Sequence, residues 1–460
     1  MTTTVNLKRL LDRKQWEFCA PAWTNSAAGS FITKSNLVDQ AIYYFVSLSV
    51  IYCYFPYEDA WMTLPTSGAG GTFGAGACGC CHPIGPSGTA TAGSTTTITT
   101  NITAARSMAG HSVRITSGPA AGETRTIAYN TVGANSVITV TSPFSTPITA
   151  ASTYQLLTGR VFFWNAGTMS ASSFRVYDVF TNAWSSLSVT SAPASWGTDG
   201  RLVATPGLDA TFSSGTATAG GATTLTDSGK AWTASQWINY QVRISAGTGA
   251  GQVRTITANT ATQLTVAAWS TPPDATSVYE ITGNDDFLYL LGNAATATYR
   301  YSISGNSWST LTARGNVTAA GMSANWITDS SHALWANGGY NGRFIYSHRG
   351  GAALDIYDIA ANTWENTAPF APISNATASG SSFAAIGGKI YWALASNNRL
   401  FMLDAAQRSH SPFSYLWTSQ GTAVVGDKMA AVRFTDGGTT LDFLYLLYNT
   451  GTAFVRCLII

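Results

Sequence analysis

The sequence predicts an all-β protein: a six-bladed β-propeller closed by its N- and C-terminal strands, with two small homologous β modules inserted into it. Three observations predict this. Residues 87–159 and 214–283 are copies of one another. A Tyr followed seven residues later by a Trp recurs through the rest of the chain. The composition, with 44 Gly, 12% aromatic residues and only 10% charged residues, suits strands and turns and excludes disorder, collagen and coiled coil.

The duplication is read first, because a missed repeat miscalls a whole fold. Ser87-Gly88-Thr89-Ala90-Thr91-Ala92-Gly93 returns as Ser214-Gly215-Thr216-Ala217-Thr218-Ala219-Gly220. Val113-Arg114-Ile115 returns as Val242-Arg243-Ile244, and Arg125-Thr126-Ile127 as Arg254-Thr255-Ile256. Tyr154 and Tyr279 stand near the ends of the copies. Thr, Val and Ile alternate with polar residues between Gly-rich turns, so each copy reads as a small all-β module.

The aromatic repeat pairs Tyr177 with Trp184, Tyr301 with Trp308 and Tyr357 with Trp364, and Tyr54 with Trp61 is a weaker copy. Asn182, Asn306 and Asn362 stand two residues before their Trp, with Asp59 in that place in the weaker copy. The spacing describes a strand, a tight turn and a returning strand, with Asn or Asp supplying the left-handed turn residue. These eight aromatic residues are the predicted structural repeat positions. Tyr and Trp then lie on neighbouring strands, where they meet the next sheet.

With four strands per blade, a to d, the Tyr-to-Trp element marks the turn from c to d. Blade one spans about residues 30–66. Blade two begins near Thr72, is interrupted by the first module and resumes at Arg160; blade three begins near Arg201, is interrupted by the second and resumes at Asp286. Blade four covers about residues 320–369 and blade five about 380–419, ending at Trp417. Residues from about 424 supply three strands, and the run containing Asp12, Trp16 and Phe18 supplies the fourth, removing an exposed edge. Blade five departs from the Tyr-to-Trp spacing, so five or seven blades remain open at this level.

The predicted organisation is therefore propeller over residues 1–86, module 1 over 87–159, propeller over 160–213, module 2 over 214–283 and propeller over 284–460. Both modules interrupt a blade between strands a and b. They are expected side by side on one face, either as an interaction surface or as mobile inserts.

Charge names no partner: a net +2 builds no field for phosphates or an anionic membrane. The most apolar run, from Ala41 to Phe55, falls short of the roughly 20 apolar residues of a spanning helix and reads as a buried strand pair. Met1 to Arg13 carries no apolar segment of a secretory leader, so folding in the cytoplasm is expected. The six cysteines are too scattered for a disulfide framework. Cys78, Cys80, Cys81 and His82 offer soft ligands, but adjacent residues of a strand point to opposite faces, so a buried small-residue strand is expected there.

No catalytic constellation emerges. The histidines at 82, 111, 332, 348 and 410 follow no H-E-x-x-H or similar spacing, and no G-x-S-x-G elbow occurs. Sialidase-type Asp boxes are absent, and the ligands of a copper oxidase cannot be assigned. Arg343, His348 and Arg349 form a local cationic cluster, expected to line a rim or channel. No enzyme activity, catalytic residue, metal or cofactor is expected. Sugar stacking on Trp and Tyr is the remaining chemistry, weakened because those aromatics sit where blades meet.

Two resemblances follow from these residues. The double glycines Gly387-Gly388 and Gly437-Gly438 together with the Tyr-to-Trp elements resemble the kelch repeat, over the chain outside the two modules. The Gly-Thr-Ala-Thr-Ala-Gly opening and the Gly-Ala-Gly-Gln-x-Arg-Thr-Ile core look like β modules inserted into virion proteins of tailed bacteriophages. A six-bladed propeller of this length also resembles the tail nozzle or hub proteins of short-tailed phages. That resemblance implies a structural role in the virion, after assembly in the host cytoplasm. It implies a ring of copies, usually a hexamer, that extends the DNA channel, passes DNA without sequence recognition and docks other tail or head proteins, with no membrane insertion. The competing reading is a receptor-binding or head-decoration protein recognising host glycan, and a depolymerase ranks third.

Overall fold

In the computed structural model the described residues are 16–21, 31–34, 41–47, 50–64, 77–165, 173–194, 201–204, 211–292, 296–314, 324–326, 344–348, 354–366, 382–386, 389–394, 399–404, 409–415, 429–436, 439–447 and 454–459. All their regular structure is strand. After β1 (Trp16–Phe18), blade one consists of β2 (Phe31–Lys34), β3 (Ile42–Ser47), β4 (Val50–Phe55) and β5 (Ala60–Leu64). The apolar run of 41–55 is thus a buried strand pair, and no described helix is long and apolar enough to cross a membrane.

Blade two opens with β6 (Cys78–His82). Module 1 follows as β7 (Ser87–Thr89), β8 (Ala92–Gly93), β9 (Thr97–Thr99), β10 (Ser112–Ser117), β11 (Thr124–Asn130), β12 (Val137–Val140) and β13 (Thr153–Leu157). The blade resumes with β14 (Arg160–Trp164), β15 (Phe174–Asp178) and β16 (Ala183–Ser186). Blade three repeats the plan. β17 (Arg201–Ala204) leads into module 2, β18 (Thr211–Thr216), β19 (Ala219–Gly221), β20 (Thr224–Thr226), β21 (Gln241–Ala246), β22 (Val253–Asn259), β23 (Gln263–Val266) and β24 (Val278–Thr282). The blade then continues as β25 (Phe287–Leu291), β26 (Thr298–Ser302) and β27 (Ser307–Leu311).

Blade four is β28 (Ala324–Trp326), β29 (Phe344–His348), β30 (Leu354–Asp358) and β31 (Thr363–Asn366). Blade five is β32 (Ser382–Ile386), β33 (Lys389–Leu394), β34 (Arg399–Asp404) and β35 (Ser409–Tyr415). Trp417 and Asp12 lie outside the described residues. Blade six is β36 (Met429–Asp436), β37 (Thr439–Leu447) and β38 (Phe454–Leu458), completed by β1 in the order β1-β38-β37-β36.

The described residues thus form six four-stranded antiparallel sheets and two seven-stranded ones. The first strands of successive blades pack beside one another, β2 on β6, β6 on β17, β17 on β28, β28 on β32, β32 on β36, and β36 back on β2, which closes the ring. The choice among five, six and seven blades falls on six. Second strands such as β14 and β25 are apolar on both faces because a blade covers each side; outer strands such as β16 expose most of their residues.

The ring has no covalent closure, so noncovalent contacts hold β1. Trp16, Glu17 and Phe18 pair with Cys457, Arg456 and Val455, Arg456 forms an ion pair with Glu17, and Cys19 N–H donates to the Phe454 carbonyl at 2.9 Å. Each net backbone hydrogen bond contributes about 0.5–1.5 kcal/mol. Deleting residues 1–21 is expected to remove on the order of 3 kcal/mol or more and to leave β38 as an open edge. Denaturant unfolding and light scattering of the truncated chain check this, as reduced stability with new self-association.

Candidate functional site: the face that carries the modules

The eight repeat positions meet at the blade seams. Each Tyr stands directly across from its Trp on the last two strands of a blade: Tyr54 opposite Trp61, Tyr177 opposite Trp184, Tyr301 opposite Trp308 and Tyr357 opposite Trp364. The ring pairs lie 4.6–5.1 Å apart, tilted by 44–50°. The turn between them needs a left-handed residue, and Asp59, Asn182, Asn306 and Asn362 supply it at φ of 48°, 54°, 45° and 54°. The same side chain folds back to accept a hydrogen bond from the Tyr hydroxyl, at 2.6 Å for Tyr54 and Tyr301, at 2.7 Å for Tyr357, and also for Tyr177.

That oxygen also accepts a backbone N–H from the preceding blade: Ala20 to Asp59 at 2.8 Å, Ser188 to Asn306 at 2.9 Å and Thr312 to Asn362 at 3.1 Å. The Trp indole N–H of the same blade donates to the carbonyl of the same residue, Trp61 to Ala20 at 2.9 Å, Trp308 to Ser188 at 3.2 Å and Trp364 to Thr312 at 3.1 Å. Both polar groups of one peptide residue are gripped by the next blade. Burial of the rings carries most of the energy, about 1.5–3 kcal/mol for each large apolar side chain; the hydrogen bonds fix the register.

These turns share an end of the propeller with the connections between first and second strands, so the modules rise over them. In module 1, Ala105 N–H donates to the Phe180 carbonyl at 2.9 Å, and the Arg106 guanidinium reaches the Tyr177 hydroxyl at 3.0 Å and Asn182 Oδ1 at 3.4 Å. In module 2, Asn239 donates to the Ile359 carbonyl of blade four at 2.8 Å and accepts from Arg300 of blade three at 3.0 Å. Each module is therefore fixed on the ring.

Both modules share one topology, β7-β13-β10-β11-β12-β9-β8 and β18-β24-β21-β22-β23-β20-β19. Their cores correspond: Val113, Ile115, Ile127 and Ile138 in one, Val242, Ile244, Ile256 and Leu264 in the other. The repeated Arg has a defined duty. Arg125 lies 5.4 Å from the Phe144 ring centre and donates to the Pro143 carbonyl; Arg254 lies 5.5 Å from Trp269 and donates to the Ala268 carbonyl.

The modules also meet each other, by the same surface. Gly122, at φ 88°, lies against the Ser245 carbonyl, and Gly251, at φ 88°, against the Thr116 carbonyl, so closely that a side chain at either glycine would collide with backbone. Gly122 matches Gly251 and Thr116 matches Ser245 in the duplication, so the contact is reciprocal, like a two-fold interface within one chain. Arg243 adds a hydrogen bond across to Thr124 at 3.1 Å and is held by an ion pair with Glu280 of its own module.

Its counterpart Arg114 points elsewhere, to Asp285 at 3.9 Å, at the foot of blade three. Both side chains are buried. Burial pushes the Asp285 carboxyl up to about 6 against the pull of Arg114, and burial lowers Arg114 to about 10 against the pull of Asp285. Desolvation outweighs attraction on both sides, so the pair orients module 1 more than it stabilises the fold.

Residues considered for chemistry have structural places. Cys78 and Cys80 pack in the core shared with blade three, and Cys81 in the one shared with blade one. His82 Nδ1 accepts the Ile84 N–H at 3.2 Å, and burial, reinforced by Arg160, lowers its pKa to about 3. Among the described residues no group of three or more His, Cys, Asp or Glu side chains is placed to hold a metal. Arg343, Arg349 and His332 lie outside the described residues, as do Gly387, Gly388, Gly437 and Gly438. Sequence reasoning missed Arg106, Asn239, Asp285 and the glycine contact. A signal existed in the first two, because Arg106 and Asn239 match Thr233 and Gly110 in the other copy.

No family model matches the chain, and no curated protein is significantly similar to it. Among solved structures the chain is similar to one described as "Crystal Structure of Mitotic Checkpoint Complex", at 9% identity and TM-score 0.37, over 96% of this chain and 91% of that one. The fold rests on the strand order and ring contacts above.

Two outcomes follow. Asn306→Ala is expected to cost about 2 kcal/mol, since it orphans the Tyr301 hydroxyl and the Ser188 N–H; Asn306→Asp, which copies Asp59, should lose less, and paired denaturant melts compare them. Asp285 keeps its proton in the fold up to about pH 6, against an ordinary value of 3.8. Its contribution to stability is therefore fully present below pH about 4 and lost as pH rises through about 6. Asp285→Asn should remove that slope from the pH dependence of unfolding.

Proposed function

We propose that the protein is a structural component of a tailed-phage virion, a tail nozzle or hub subunit that assembles with its own copies into a ring around the DNA path and docks other tail proteins on the module face. The observation that carries this reading is the pair of homologous modules, fixed to each other through Gly122 and Gly251 and to the propeller through Arg106 and Asn239. Such a platform presents a partner with a surface already ordered, so docking costs little conformational entropy. The resemblance of the module sequence to inserts in phage virion proteins supplies the setting. A net charge of +2 suits a wall that DNA passes without being held.

The glycan-binding reading is weaker on one observation: Trp61, Trp308 and Trp364 are committed to seam hydrogen bonds. Labelling this protein in intact particles and imaging them is expected to place it at the tail end below the portal, and native mass measurement of the purified chain to give a ring of copies. Label on the capsid surface or at a fibre tip would remove the nozzle reading, and glycan-array binding would replace it with the receptor reading.

A further inference from the structure

Among the described residues the seams of the ring are not all built alike. At three of them the Asn or Asp of the Tyr–Trp element receives the N–H of Ala20, Ser188 or Thr312. Each donor stands four residues after an outer-strand Trp: Trp16, Trp184 and Trp308. The same count along the sequence from Trp61 in blade one arrives at Pro65, which lies outside the described residues, and proline has no N–H to donate. Asn182, across that seam, accepts instead from the Arg106 guanidinium of module 1, which also serves the Tyr177 hydroxyl. The corresponding position of module 2, whose carbonyl takes the same Asn amide hydrogen bond, is Thr233, too short for that reach, and the clamps of blades three and four already hold the N–H groups of Ser188 and Thr312. The long cation occurs in the copy that stands over the seam where, among the described residues, no backbone N–H reaches the Asn.

We propose that Arg106 is the donor that completes the seam between blades one and two, so that module 1 is a working part of the propeller ring. The occupant of the turn of blade two is thus the segment of module 1 around Ala105 and Arg106, which its two hydrogen bonding residues lay over Phe180, Tyr177 and Asn182. The core agrees, for module 1 residues Ile127 and Met108, blade one residues Phe45 and Cys53 and blade two residues Phe163 and Tyr177 form one continuous cluster. The inference is independent of the virion reading. It turns an insertion into a keystone: a cationic side-chain donor stands where the seams at Asn306 and Asn362 have a backbone N–H.

The test uses the full chain and hydrogen exchange read by peptide. Arg106→Ala is expected to speed exchange over residues 174–186 by on the order of tenfold, the loss of a charged hydrogen bond, while residues 124–130 inside module 1 keep their protection. Pro65→Ala, which returns an N–H to the chain four residues after Trp61, is expected to restore much of the lost protection in the Arg106→Ala background and to change little alone. Arg106→Lys, which keeps a cationic donor, is measured alongside and should lie between. Exchange over 174–186 that is unchanged in Arg106→Ala, or protection lost equally inside module 1, would overturn the proposal, as would a Pro65→Ala change that rescues nothing.

Discussion

The structure depends on a grip: a blade's Asn or Asp and its Trp hold the N–H and the C=O of one residue at the end of the blade before it. Ala20, Ser188 and Thr312 are held this way. Packing between sheets is tolerant of small slips, because apolar contacts are non-directional. Two hydrogen bonds to a single peptide residue are not tolerant, so the grip sets how far blades one, three and four are turned from the blades before them. The low charge content follows from the same design. Backbone, Asn and indole groups do at the seams what ion pairs do on other surfaces, and 10% charged residues suffice.

The seam between blades six and one uses a carboxylate, Asp59, in place of Asn. Hydrogen bonds to an ionised acceptor are stronger than neutral ones. Glu17 and Arg456 add an ion pair between the paired end strands. That ion pair stands where no covalent link prevents the ring from opening. Blade six has its own internal ion pair as well, Arg433 with Asp442, made by two 2.7 Å contacts.

The modules show how duplicated sequence acquires different duties in different surroundings. Their shared residues, such as Arg125 and Arg254 over an aromatic ring, serve each module's own fold. The repeated Ser-Gly-Thr belongs with these: Gly88 and Gly215 pair with Tyr154 and Tyr279, and a side chain at either glycine would strike the phenol. Two residues that differ, Arg106 against Thr233 and Asn239 against Gly110, reach the propeller. Equivalent arginines have parted too, Arg243 serving the module pair and Arg114 serving the foot of blade three.

Much of the architecture is legible in the sequence because its signals are local. The Tyr-to-Trp interval spans one turn, and the left-handed residue within it must be one that tolerates positive φ, so Asn and Asp mark four turns by residue type alone. Regular alternation and duplicated segments set the module strands, and an N-terminal strand without a blade of its own required a partner at the other end. What residue order left undecided lies between segments far apart in the chain. Arg106 meets Asn182, Gly122 meets Ser245, Asn239 meets Ile359 and Arg114 meets Asp285 only after the sheets are in place. No period or motif encodes such meetings. They depend on the angle at which each blade leaves the last and on the end of the sheet from which the modules rise, and both are set by packing between strands, so the sequence determined the parts and their order while the tertiary structure decided which side chains would face one another.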